Sequence, residues 1–317
     1  MPPEVLLENM KCPLGCPPED ETILVGRDRL HNLPGEFTVV KCRTCGLMRT
    51  NPRPTPRTIG YYYPDDYGPY HGTRVDHTKL SDGPLPPWKR LLKRVFQFNT
   101  QCLPPLPPGR MLEVGCASGA FLHRMACQGW EVEGIEPSED AANSARLLGY
   151  PVYMGSIEGA PEPDYLYDLV VGWMVLEHLH NPLLALKKLR RWVKPGGWLA
   201  ISVPNAAALE FRMFKDAWYA LQVPTHLYHY TPRTLEMLLA KTGWRREKVF
   251  DQRILTNLVV SLGYCLQDKM PRSRLASYLV NFPNIGVAGN LMLYPFAYVL
   301  SLFGQAGRMT VWARRME

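Results

Sequence analysis

Residues 111–122 read Met-Leu-Glu-Val-Gly-Cys-Ala-Ser-Gly-Ala-Phe-Leu: an apolar run, an acidic residue near its end, two glycines four apart, and a return to apolar residues. This order fits a buried strand that turns sharply into a helix, because glycine lets the backbone bend tightly and approach a ligand closely. The turn also offers free backbone N–H groups, which suit a phosphate or an amino-acid carboxylate. A dinucleotide fingerprint would need Gly-x-Gly-x-x-Gly, and Ala117 stands where its middle glycine belongs, so NAD is the poorer fit.

From residue 109 onward short apolar runs alternate with helical periodicity, the pattern of a parallel sheet with crossover helices. Strands are predicted at 110–114, 131–135, 151–154, 168–173, 197–203, 244–251 and 308–315, with helices near 118–128, 138–148, 182–193 and 231–242. The economical fold is α/β, a doubly wound sheet. Polar residues then gather at the carboxyl ends of successive strands, where such sheets bind ligands. Glu136-Pro137 ends the second strand, Ser156-Ile157-Glu158 follows the third, and Trp173 ends the fourth. A lone Glu136 would read as a solvated strand-end charge, but in this series it is placed to accept from both hydroxyls of a ribose.

This series resembles the class I S-adenosylmethionine-dependent methyltransferases, specifically the broad UbiE-like group, over roughly residues 109–251 and again at 308–315. The resemblance rests on Glu113-x-Gly115-x-Ala117-x-Gly119, on Glu136, on Ser156 to Glu158, and on Val193-Lys-Pro-Gly-Gly-Trp-Leu before the fifth strand. It implies a Rossmann-like, seven-stranded methyltransferase sheet and S-adenosylmethionine as cofactor. Glu113, Gly115, Cys116, Ala117 and Gly119 would surround the methionine part, Glu136 and Pro137 the ribose, Ser156, Ile157 and Glu158 the adenine edge, with Trp173 beside them. Ala117 departs from the family's middle glycine.

Residues 1–57 form a separate small module by composition. Lys11-Cys12-Pro-Leu-Gly-Cys16 and Lys41-Cys42-Arg-Thr-Cys45-Gly give Cys-x3-Cys and Cys-x2-Cys pairs, the spacing of two knuckles that complete a tetrahedral thiolate site. Cys12, Cys16, Cys42 and Cys45 are therefore candidate ligands of a structural Zn2+, with no position left open for catalysis, in a zinc-ribbon-like module. Met1 to Cys16 is interrupted by Pro and Glu and does not read as a secretion signal, so the expected compartment is the cytoplasm, where the eight cysteines stay reduced.

Residues 58–108 form a Tyr- and Pro-rich connector, with an amphipathic helix expected from Trp88 to Phe96. The zinc module, Asn51-Pro-Arg-Pro and the Tyr61-Tyr62 word together resemble the sugar C-methyltransferases of deoxysugar pathways and their relatives in polysaccharide clusters. In that arrangement Tyr63 or Tyr67 would fold over the cofactor. Simple aromatic packing is an equal alternative.

Methyl transfer from a sulfonium is an in-line displacement, so the protein aligns the nucleophile and removes its proton. Three histidines fall near the expected carboxyl edge: His178 after the fourth strand, and His226 and His229 in Pro224-Thr-His-Leu-Tyr-His-Tyr-Thr-Pro. We favour His226 or His229 as base and His178 as a positioning residue, although a histidine more often serves as a hydrogen-bonded structural group.

About 55 residues separate the last two predicted strands, far more than a hairpin turn needs. No charged residue occurs from Leu275 to Gly307. A single membrane crossing would put the last strand on the wrong side of the bilayer. Two readings remain for this helical insertion at 252–306: packing over the site or in a homodimer interface, or peripheral membrane contact through 254–304 at the inner face of a membrane. Seven Lys and Arg against Asp268 and Glu317 from Arg253 onward favour an anionic surface.

The net charge of +7 is spread without a basic run, which argues against a nucleic-acid partner. The sequence thus predicts an enzyme, with its methyltransferase domain at residues 109–317, that methylates a small molecule, such as a nucleotide-linked sugar or a lipid-linked intermediate. An RNA methyltransferase and a non-catalytic scaffold with the same fold are the alternatives.

Overall fold

The computed structural model describes residues 4–64, 96–285 and 287–317. Tyr67 and, apart from Phe96, the helix expected over 88–96 lie outside the described residues. Short strands open the chain: β1 (Leu7–Glu8), β2 (Asp20–Arg27), β3 (Glu36–Cys42), β4 (Met48–Thr50) and β5 (Arg53–Pro54). A large sheet follows from β6 (Arg110–Val114), β7 (Glu131–Glu136), β8 (Val152–Met154), β9 (Tyr167–Trp173) and β10 (Val193–Pro204). After β11 (Tyr228–His229), β12 (Trp244–Asp251) and β13 (Arg308–Arg315) complete it.

The seven large-sheet strands lie in the order β12-β13-β10-β9-β6-β7-β8, with β13 antiparallel to both neighbours. The β8-β7-β6-β9-β10 segment is parallel throughout. This is the seven-stranded Rossmann-like sheet that the resemblance implies. The order reverses between β6 and β9, which opens a crevice at their carboxyl ends. Leu169, Val170 and Val171 in β9 are wholly buried, as a central parallel strand covered on both faces requires. The expected strand at 197–203 begins earlier, at Val193, with an irregular register from Val193 to Trp198 where Lys-Pro-Gly-Gly bulges.

Helices α1 (Ala120–Ala126), α2 (Glu139–Leu147), α3 (Pro182–Trp192) and α5 (Pro232–Lys241) cover the sheet, whereas α4 (Leu209–Phe214) packs Phe211 into a cluster with Phe37 and Val39 of the N-terminal strands. Their starts follow local chemistry. Ser138, Asn181 and Thr231 cap α2, α3 and α5, and Pro182 and Pro232 stand at first-turn positions that have no N–H to lose. The insertion is helical, as expected, and contains α6 (Thr256–Lys269), α7 (Arg274–Val280) and α8 (Val287–Leu302). No described helix is long and apolar enough to cross a membrane.

The N-terminal strands join the rest of the chain. Strand β11 extends their sheet in the order β11-β4-β3-β2, with Tyr228 opposite Arg49 and His229 opposite Met48. Cys12, Cys42, Cys45 and Leu47 share one buried cluster with Leu176, Tyr228 and Leu235. Arg49 is buried and forks onto Asp20 at 3.0 and 2.6 Å. Arg53 of the Asn-Pro-Arg-Pro word donates to Glu8, to the carbonyl of His180 and to the hydroxyl of Tyr228. That word is thus a clamp between the module and the loop after β9.

Candidate functional site

A cavity of about 1040 Å³ occupies the crevice. One wall comes from the ends of β6, β7 and β8, where Gly115, Ala117, Glu136, Pro137, Ser156, Ile157 and Glu158 line it. Gly115 has φ +71°, and a Cβ there would lie 2.5 Å from Val175 Cγ2, so only glycine fits. Ala117 adopts φ +45° in the position where the family pattern has glycine. Its conformation is the glycine-favouring one, at a cost of order 1 kcal/mol for a residue with a Cβ. The strain is offset by a fixed contact: Ala117 N–H donates to Glu136 Oε2 at 2.9 Å, while Ser138 N–H donates to Oε1 at 2.9 Å. Glu136 is thereby held rigidly at the cavity edge, its pKa raised by burial and moderated by these two donors. Lys188 donates to the carbonyls of Glu158 and Ala160 and pins the loop after β8.

Glu113 does not line the cavity. It is fully buried behind the turn, where burial pushes its carboxyl up to about 8. Cys116 packs under β7 against Gly134, and Gly119 starts α1 against Ala145; neither is among the lining residues. Trp173 does line it, edge-on to Phe121 at 5.2 Å.

The opposite wall is assembled from distant segments: Tyr63, His178, Tyr219, Gln222, His226 and Arg308. His178 follows β9 in a 3-10 turn at Leu176–His178, and its Nδ1 lies 3.0 Å from the Thr225 carbonyl and 2.9 Å from the Tyr63 hydroxyl. His226 Nδ1 lies 2.9 Å from the Ala220 carbonyl. A carbonyl accepts only, so each Nδ1 carries the proton and each Nε2 keeps its lone pair. The two rings meet edge to face at 4.6 Å. Burial lowers His178 to about 4 and His226 well below its ordinary value, with His178 and His229 adding to the effect on His226. Both imidazoles are neutral at pH 7.

His229 is placed elsewhere. It is buried in β11, with Nε2 3.4 Å from the Thr50 hydroxyl, and is not among the lining residues. The sequence placed His226 and His229 together because they are three residues apart, but His229 belongs to β11 and faces Thr50, whereas His226 precedes that strand and lines the cavity.

Sequence reasoning missed Tyr219, Gln222 and Arg308. The first two lie in a loop between α4 and β11 that has no repeating pattern. Arg308 carried one signal: it is the first charge after the uncharged run 275–307. It donates from Nε to Asn257 Oδ1 at 3.0 Å, and its charge opposes the burial that raises Glu177 to about 8 and Glu210 to about 7.

The four module cysteines converge. The Sγ atoms of Cys12, Cys16, Cys42 and Cys45 all lie within 4.8 Å of one another, and none forms a disulfide. A tetrahedron of thiolates about zinc has sulfurs roughly 3.8 Å apart, so this donor set fits the ion. Knuckle turns support both pairs, through Gly15 N–H to Cys12 O at 2.9 Å and Gly46 N–H to Cys42 O at 2.8 Å.

Comparison with known proteins completes the description. The family model for a methyltransferase domain matches residues 87–249. A ubiquinone biosynthesis O-methyltransferase of Alkalilimnicola ehrlichii is 35% identical over 58% of this chain and 78% of its own length. One of the same description from Thiobacillus denitrificans is 33% identical over 34% of this chain, which spans about half, 49%, of that relative. Among solved structures, an S-adenosylmethionine-dependent methyltransferase of Mesorhizobium loti aligns with 67% of this chain and 94% of its own, at 18% identity and a TM-score of 0.45.

Proposed function

Since the chain belongs to the methyltransferase-domain family and is a class I S-adenosylmethionine-dependent enzyme, we propose that it methylates a hydroxyl of a small-molecule acceptor, of the nucleotide-linked-sugar or lipid-linked kind. The observation that carries this reading is the pair of neutral imidazoles, His178 and His226, lining the same cavity as Gly115 and Glu136.

Glu136, with both oxygens already oriented by backbone N–H groups, would accept from the ribose hydroxyls. Gly115 leaves room for the methionine part, and Ser156 to Glu158 border the adenine. When bound, the cofactor supplies an electrophilic methyl group on a sulfonium that departs as a neutral thioether. The chain's own task is then to align the acceptor oxygen and take its proton. His226, held by Ala220, is the base in this reading. His178, held between Thr225 and Tyr63, positions the acceptor through its Nε2. Cys12, Cys16, Cys42 and Cys45 would hold a structural zinc that fixes the module against this wall.

Calorimetric titration of the purified protein with S-adenosylmethionine, S-adenosylhomocysteine and NAD tests the cofactor. Micromolar binding of the first two and none of NAD is expected, and Glu136→Ala should weaken it by about 3 kcal/mol, roughly a hundredfold. Binding of NAD alone, or full affinity in Glu136→Ala, would refute this reading of the site.

A further inference from the structure

The insertion presents an apolar face that the rest of the described chain leaves uncovered. In α8, Tyr294 and Ala297 are buried, with Tyr294 edge-on to Phe96 and Phe98. On the other side Met292, Phe296 and Val299, with Phe303 just past the helix end, recur at helical spacing and are 72%, 65%, 51% and 72% exposed. Leu302 broadens this stripe, and Leu275 and Tyr278 expose similar groups on α7. A soluble surface scatters its large apolar side chains singly; six or more on two consecutive helices mark a contact surface.

Charge identifies what is contacted. Exposed Lys269, Arg272 and Arg274 alternate with exposed Met270, Leu275 and Tyr278 along the α6–α7 connection. Residues 269–316 contain no Asp or Glu. The nearest acid, Asp268, is already engaged by Arg29 at 2.9 Å and Arg27 at 3.3 Å. An interface between two copies would set these cations against one another or against an uncharged stripe. An anionic bilayer instead offers headgroup charge at the level of the cations and acyl chains beneath, for the apolar groups.

We infer that α7 and α8 form a docking surface for an anionic lipid bilayer, with Met292, Phe296, Val299 and Phe303 inserted among the acyl chains and Lys269, Arg272 and Arg274 at the headgroups. This goes beyond the methyl-transfer reading and does not depend on it. It also has a route to the site. Ser261 of α6 accepts from the backbone of Tyr219 at 2.8 Å, Tyr264 lies against the Tyr219 ring, and Arg308 leaves the insertion directly into the cavity wall.

Flotation of the purified full chain with phosphatidylcholine vesicles, with and without phosphatidylglycerol, tests the inference without any assay of activity. The wild type should float with the anionic vesicles and be released by high salt. Arg272→Glu/Arg274→Glu should weaken binding about tenfold, and Phe296→Glu/Phe303→Glu about a hundredfold, at unchanged melting temperature. Absence of flotation, or binding unaltered by both double variants, overturns the proposal. A solution dimer that Phe296→Glu/Phe303→Glu converts to monomer, with no wild-type flotation, overturns it too and assigns the face to a second copy. Should the phenylalanine variant fail to fold, the surface arginine pair decides alone.

Discussion

The two walls of the cavity are built in opposite ways. The wall with Gly115, Glu136 and Ser156 comes from three consecutive strand ends, and its key contacts join residues that are close in sequence: Ala117 and Ser138 to Glu136. The wall with Tyr63, His178, His226 and Arg308 draws on the connector that follows the N-terminal module, the loop after β9, the loop before β11 and the strand that follows the insertion. Its contacts span the chain, as in Tyr63 to His178 and Thr50 to the carbonyl of His226. A wall made locally survives large changes elsewhere. A wall made from four segments depends on whatever holds those segments together, and the cysteine cluster is placed to do so, since it shares a buried core with Leu176 after β9 and with Tyr228 of β11, which pairs with β4.

Removing the zinc proposed for this cluster is therefore the strongest way to separate the walls. Metal analysis after native purification should give one zinc per chain. A structural thiolate site contributes on the order of 10 kcal/mol to folding of a small module. Chelation, or Cys42→Ser, should abolish methyl transfer while S-adenosylhomocysteine affinity, read by calorimetry, falls less than tenfold. Equal loss of both would mean that the walls fold as one unit and the contrast is false.

Histidine substitutions act within the distal wall and should have smaller effects. His226→Gln should lower kcat by about a hundredfold or more, the usual range for a general base. His178→Gln should mainly raise KM for the acceptor, since it positions rather than deprotonates. S-adenosylhomocysteine affinity should stay within twofold in both. His229→Gln, at a buried site bonded to Thr50, should change stability and leave kcat alone. If His229→Gln lowered kcat more than His226→Gln, the assignment would be reversed.

The same contrast explains what was legible in the sequence. Glu113, Gly115, Gly119 and Glu136 stand at fixed spacings set by strand, turn and helix geometry, so the motif and the strand positions could be read directly. Cys116 and Glu113 belong to the motif but do not reach the cavity, because Glu113 is buried behind the turn and Cys116 packs against Gly134 of β7. Arg308 and Gln222 obey no spacing rule, as their positions depend on how the insertion and the α4–β11 loop pack. The apolar insertion was visible as an uncharged run, whereas which of its faces is exposed required the packing of Tyr294 and Ala297.

The smallest expected effect is a pH dependence that both walls share. Glu113, behind the local wall, and Glu177, beside the distal one, are each raised to about 8 by burial, and Glu210 to about 7. A carboxyl whose folded pKa is raised contributes stability below its unfolded value near 4.5 and loses it as the pH climbs through the folded value. His178 and His229, lowered to about 4, behave oppositely, losing stability as the pH falls from 6.5 toward 4. From 4.5 to 6.5 the two trends oppose each other. Of these groups only the carboxyls still titrate above 6.5, so their part of the stability should fall between pH 6.5 and 8, at roughly 1–2 kcal/mol per group, and the melting temperature with it. Glu113→Gln and Glu177→Gln should each flatten part of that fall. Because Arg308 opposes the shifts at Glu177 and Glu210 while Arg124 opposes that at Glu113, Arg308→Met should steepen the decline through Glu177 and Glu210 and leave the Glu113 contribution unchanged. A slope unchanged in Arg308→Met but altered in Arg124→Met would show that the titration belongs to the cofactor side, and a flat profile in the wild type would remove both carboxyls from the account.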